Sequence, residues 1–259
     1  MKNLSDSQKL GILIGLFVAM FAGALMLSPL PVDPNYHNFA DQRSCLGIPN
    51  FADVASNLPF GVLGVMGLVL VFGRRGREAF EFRYHAWPYL VFFGGVTLVM
   101  LGSSYYHWAP SNGPLYWDRA PIAIAFMGLF AAFLADRTDQ RIGVFWLLPL
   151  LLFLATAAML WDLSQFGIGG DLRFYALVQI YPIIALPLLC WFYPGGRYTS
   201  TPHMYAMLAW YAVAKILEIA DRPIFEMLAG TVSGHTLKHL SAAMAVFMVL
   251  SMLRRMDSR

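Results

Sequence analysis

Residues 87–110 read WPYLVFFGGVTLVMLGSSYYHWAP. The segment carries no acidic or basic side chain until His107, and two serines, two tyrosines and that histidine gather at its end. From Trp87 to His107 it has about the 20 residues that an α-helix needs to cross a hydrocarbon core. Tyrosine and tryptophan at a helix end suit the headgroup interface. Ser103 and His107, four apart, share one face of that helix, and an interface belt does not explain them.

Similar apolar runs recur along the whole chain. Of 259 residues, 58% are hydrophobic and 13% charged, against about 25% charged in soluble domains. The reading is an all-α integral membrane protein. Eight spans can be drawn, near residues 10–30, 53–73, 87–107, 117–134, 143–161, 172–192, 204–219 and 235–253. The seventh is the least apolar, because it contains Lys215 and Glu218. The first follows Lys2 and Lys9 like a signal peptide, but its length and the lack of a small-x-small cleavage site favour a retained helix. The two cysteines, Cys45 in a loop and Cys190 inside an apolar run, are not expected to pair. The net charge of +3 is small and the arginines sit between apolar runs, a topology signal rather than a nucleic-acid surface.

An even number of spans puts both termini on one side. If that side is cytoplasmic, it holds Lys2, Lys9, Arg74, Arg75, Arg77, Arg83, Arg137, Arg141, Arg197, Arg254, Arg255 and Arg259. The opposite side holds only Arg43, Arg119, Arg173 and Arg222. The positive-inside rule therefore expects cytoplasmic termini. His107 then ends the third span on the outer side, Asp118 begins the fourth there, and His235 and His239 begin the last. Three distant regions bring their unusual polar residues to one depth.

In HTLKH, residues 235–239, the histidines are one helical turn apart on one face. They can offer two imidazoles to one metal ion, with His107 as the third. Three protein ligands and a vacant position define a catalytic zinc site, where bound water loses its proton near neutral pH. Ser103 can donate to an oxyanion forming at that site. Asp118 can orient a ligand histidine or take the proton from attacking water. Each residue alone has a blander reading as an interfacial or pairing group. The shared depth of all five is what favours a site. Lys215 and Glu218, three apart, read as an intramembrane pair extended by Asp221 and Arg222, and Lys238 as a side chain that snorkels to the interface. His37, His85 and His203 show no ligand spacing.

SSYYH, then YWD with its acid eleven residues after the histidine, then a terminal HTLKH resemble the alkaline ceramidase family of the CREST superfamily. The segment GIPNFADVASNLPF is similar to the entry of that family's first core helix, with Ser56 and Asn57 matching its Ser-Asn pair. The resemblance implies a seven-helix core over residues 46–259, with residues 1–45 adding an N-terminal helix and outer loop. It implies zinc held by His107, His235 and His239, with Asp118 handling the proton and Ser103 assisting at the oxyanion. The implied reaction cleaves the amide bond of ceramide or a related N-acyl lipid to a fatty acid and a sphingoid-type base. The acidic cluster that binds calcium in animal members is not evident. Asn50 stands where one of its acids is expected, which puts calcium dependence in doubt. Asp53 stands where relatives often carry asparagine.

Other readings share these residues. Progestin and adipoQ receptors of the same superfamily share the zinc pattern, so a lipid-binding receptor is one alternative, and ester-cleaving relatives that act on lipid-anchored proteins suggest another. A retinal protein with Lys238 as its Schiff base is disfavoured by the flanking histidines. A site within a helical bundle is reached most easily by a lipid already in the bilayer. Gly94, Gly95 and Gly102 read as positions of close helix approach, with a lateral opening as the other option. The absence of retention signals suggests a bacterial inner membrane, with the site facing the periplasm.

Overall fold

The computed structural model describes residues 4–165 and 170–258. Eight long helices dominate it: α1 (Asp6–Met26), α2 (Phe51–Phe72), α3 (Trp87–Trp108), α4 (Asn112–Arg137), α5 (Gln140–Ser164), α6 (Arg173–Phe192), α7 (Thr201–Ile219) and α8 (Gly234–Arg254). Among the described residues there is no strand, only an isolated bridge between Cys45 and Ile48. Seven of the helices are long and apolar enough to cross a membrane. The exception is α7, where Lys215 and Glu218 interrupt the apolar sequence, as expected. The chain is an all-α membrane protein. Cys45 and Cys190 are both free.

Local chemistry sets the helix ends. Ser5 and Gln8 form a capping box at the start of α1. The fourth helix begins at Asn112, earlier than its apolar run, because Pro114 in the first turn needs no backbone partner and Ser111 precedes it in extended conformation. The second helix breaks at Ser56 and Asn57, just before Pro59, and its two halves, Phe51–Ala55 and Leu58–Phe72, continue on either side.

In the bundle α3 runs along both α2 and α4, while α8 runs along α7. Small residues permit this. A Cβ on Gly102 would overlap the Trp117 carbonyl oxygen of α4, and one on Gly95 would lie 2.9 Å from the Ala125 backbone nitrogen. Gly94 faces open space. Close packing thus accounts for two of the three glycines in α3. The first helix packs from outside against α6, where the Tyr181 hydroxyl donates to the Leu13 carbonyl at 3.0 Å.

One end of the bundle is closed by structural polar contacts. Arg137 donates to the Tyr193 carbonyl at 2.6 Å and to Thr199 Oγ1 at 3.0 Å, and His85 shares a hydrogen bond with the Tyr198 hydroxyl at 3.0 Å. At the other end the segment 27–50 folds over the bundle. Asp171 accepts there from the Leu30 backbone N–H at 3.2 Å and from Trp161 Nε1 at 2.8 Å, and pairs with Arg173 at 2.7 Å. Burial alone would raise the Asp171 carboxyl, but hydrogen bonds from Arg173, Trp161 and the Leu30 backbone hold it well below the usual carboxylate range. Its folded pKa is depressed, so its stabilisation is present above the unfolded value and is lost as pH falls toward the folded one. Asp171→Asn is expected to flatten the loss of thermal stability in detergent below about pH 4. An acid profile unchanged from wild type would contradict that role.

Candidate metal centre

The last turn of α3 presents His107, and the first two turns of α8 present His235 and His239. Ser233 caps α8 by accepting from the Thr236 backbone at 3.0 Å, and Asp221 accepts from the His235 backbone at 2.8 Å. The same Asp221 also accepts from the Ala40 backbone at 2.9 Å, tying the covering segment to the start of α8. Asp221 therefore anchors backbone groups rather than extending the Lys215–Glu218 pair.

The three histidines are buried, and one nitrogen from each lies within 4.8 Å of the others. His107 Nε2 and His235 Nε2 are 3.3 Å apart, and the three ring centroids are 4.8–4.9 Å from one another. Ser56 fixes the third ring. Its hydroxyl donates to the Asp53 carbonyl at 3.0 Å and lies 2.8 Å from His239 Nδ1. The serine proton is thus committed, so Nδ1 is the donor and the lone pair of His239 sits on Nε2. His107 is held through its backbone, where Asn50 donates to its carbonyl at 2.8 Å. Phe39 from the covering segment packs with its ring centroid 4.7 Å from that of His107 and 4.6 Å from that of His235, tilted against both.

Three imidazoles converging in a buried pocket are a poor arrangement without a cation. Lys238 Nζ, 3.3 Å from His235 Nε2, can supply one hydrogen bond, but His107 Nδ1 has no partner. The donor set fits a metal ion that takes one nitrogen from each ring. Ser56, accepting from His239 Nδ1, is then the partner that orients a ligand. Ser56→Ala is expected to weaken metal binding about 10- to 100-fold. Competition with a chromophoric chelator measures this, and unchanged affinity would remove Ser56 from the site.

Ser103 and Asp118 are both buried. Together with His239 they line a cavity of about 370 Å³. Its apolar walls include Phe92, Val96, Ile122, Phe126, Leu186 and Val246. The structure thus gathers all five residues singled out by sequence in one region. The side chain seated on His239 Nδ1 is Ser56.

Lys238 differs from its expected position. Rather than snorkelling outward, it lines the cavity and pairs with Glu218 at 2.8 Å, while Lys215 pairs with the other Glu218 oxygen at 2.6 Å. Glu218 on the facing helix α7 supplies the counter-charge that holds the ammonium inside the bundle. Asp53, buried in α2, accepts from Thr236 Oγ1 at 2.7 Å and so latches α2 to the first turn of α8. His37 binds the Tyr106 hydroxyl at 2.9 Å and Asn112 Oδ1 at 3.0 Å, a contact holding the covering segment to α3 and α4.

Fold and site define an all-α integral membrane protein with a buried three-histidine group able to hold a metal ion. No model of a known protein family matches the chain, and no curated protein matches it.

Proposed function

We propose that the protein is a zinc-dependent hydrolase that cleaves the amide bond of ceramide or a related N-acyl lipid within the membrane. The observation that carries this reading is the juxtaposition of the three-histidine group with Ser103 and Asp118 at a largely apolar cavity. A zinc ion on His107, His235 and His239 supplies Lewis acidity, which makes water nucleophilic near neutral pH and polarises an acyl carbonyl.

The chain's own residues do the rest. The apolar wall takes the acyl chain and positions the amide beside the histidines. Asp118 accepts the proton of the attacking water and returns it to the departing amine nitrogen. The Ser103 hydroxyl donates to the carbonyl oxygen as it gains negative charge. Phe39 packs over two of the three histidine rings. The resemblance to alkaline ceramidases supports the amide as the bond cleaved, and positive-inside bias supports a site on the periplasmic side of a bacterial inner membrane.

Matched amide and ester lipids of one acyl chain, incubated with the purified protein and followed by mass spectrometry, test the reaction class. Fatty acid is expected from the amide. Release from the ester alone would make the protein an esterase. Tight binding without release from either would favour a receptor.

A further inference from the structure

The cavity carries a second polar group that the hydrolysis does not use. Tyr175 and Gln179, one turn apart on α6, and Tyr211 on α7 all line it. One heteroatom of the Gln179 side-chain amide lies 2.6 Å from the Tyr175 hydroxyl, and the other lies 3.2 Å from that of Tyr211. The wall around the three is apolar, with Phe126, Pro182, Ile183 and Leu208 among its residues. Phe126 meets the Tyr211 ring edge-on, with centroids 5.5 Å apart.

The hydrogen bonds of this group do not close. A glutamine amide has one accepting oxygen and a nitrogen with two protons, and each phenol has one proton. Whichever way the amide faces, its oxygen takes the proton of one tyrosine and its nitrogen donates to the other hydroxyl. One phenolic proton and one amide N–H remain, and among the described residues neither has an acceptor. A cross-link between α6 and α7 accounts for the two bonds that are made. It does not account for the two donors left over. A saturated chain filling the cavity would strand both away from water.

Helical rise gives the depth of the group. Tyr211 stands seven residues before Glu218 in α7, and Phe126 eight after Asp118 in α4. Each separation is roughly 10 Å along its helix. Glu218 marks the level of the histidines, because its partner Lys238 lies 3.3 Å from His235 Nε2. With C–C bonds of about 1.5 Å in a zig-zag chain, that depth is reached about eight carbons from a carbonyl held at the histidines. We propose that Tyr175, Gln179 and Tyr211 form a subsite for a hydroxyl in the middle of a lipid chain, and that the cavity selects mid-chain hydroxylated acyl groups. Assigning that chain to the acyl half rests on the amidohydrolase reading. The three side chains are neutral, which suits a neutral ligand oxygen. A hydroxyl accepts one of the spare protons and donates its own to a tyrosine oxygen.

Competition against radiolabelled stearic acid on the purified full-length protein tests this without turnover. The competitors are stearic acid and its derivatives hydroxylated at the third or the tenth carbon. The tenth-carbon acid is expected to bind about three- to tenfold more tightly than stearic acid, the range for neutral hydrogen bonds. The third-carbon acid, whose oxygen falls short of the group, is expected to gain nothing. Gln179→Leu is expected to reverse the preference, because the hydroxyl then meets an apolar wall. A purely structural cross-link would instead weaken all three acids alike. Equal binding of stearic and tenth-carbon acids in wild type, an equal gain at the third carbon, or a ratio unchanged in Gln179→Leu would overturn the proposal. If Gln179→Leu does not fold, Tyr211→Phe, which removes a single oxygen, decides in its place.

Release of fatty acid from the stearoyl and tenth-carbon hydroxystearoyl amides of ethanolamine separates this proposal from the one beneath it. Cleavage of both at equal kcat/KM, with no binding preference, would remove the subsite and leave the amidase. A binding preference with neither amide cleaved would keep the subsite and remove the amidase.

Discussion

Asp118→Asn is expected to lower fatty-acid release from an N-acyl lipid about 10²- to 10⁴-fold while leaving metal content and helical structure unchanged. Asparagine keeps the size of the side chain and its polarity. It cannot accept a proton from water or return one to the amine. The carboxylate is buried and lines the same cavity as His239, so no bulk water is at hand to replace it as a base. The separation of effects is the test. Lost activity with lost metal would make Asp118 a support for the site, and turnover equal to wild type would exclude it from proton transfer.

The second large effect is expected at His235. With alanine there, two imidazoles remain, and zinc stoichiometry should fall from about one to a small fraction after dialysis. Activity should fall with it. His235 also packs against Phe39 and His107, so the alanine variant opens a hole as well as removing a ligand. His235→Gln, which fills most of the space, distinguishes the two effects. It should restore thermal stability without restoring metal. Full zinc occupancy in both variants would show that His235 is not a ligand.

Much of this site is legible in the sequence because helical periodicity fixes it. The four-residue spacings of Ser103 with His107 and of His235 with His239 define faces without any tertiary information. The depth of His107, Asp118 and the HTLKH pair follows from counting spans. What is not legible depends on which helix faces which. Lys238 turns inward because Glu218 stands opposite it on α7, and no local pattern reveals that neighbour. Ser56 orients His239 across a separation of 183 residues, and only its resemblance to a family motif draws attention to it. Phe39 covers the histidines from a segment with neither periodicity nor ligand spacing. Asp221, expected to extend an ion pair, spends both oxygens on backbone N–H groups.

The most direct test is fatty-acid release from N-acyl lipids by detergent-purified protein, measured before zinc removal, after it, and after zinc is restored. Release that stops with the metal and returns with it is the predicted result. A folded, zinc-loaded protein that releases no fatty acid, or one whose release is indifferent to zinc, would contradict a metal-dependent lipid amidase.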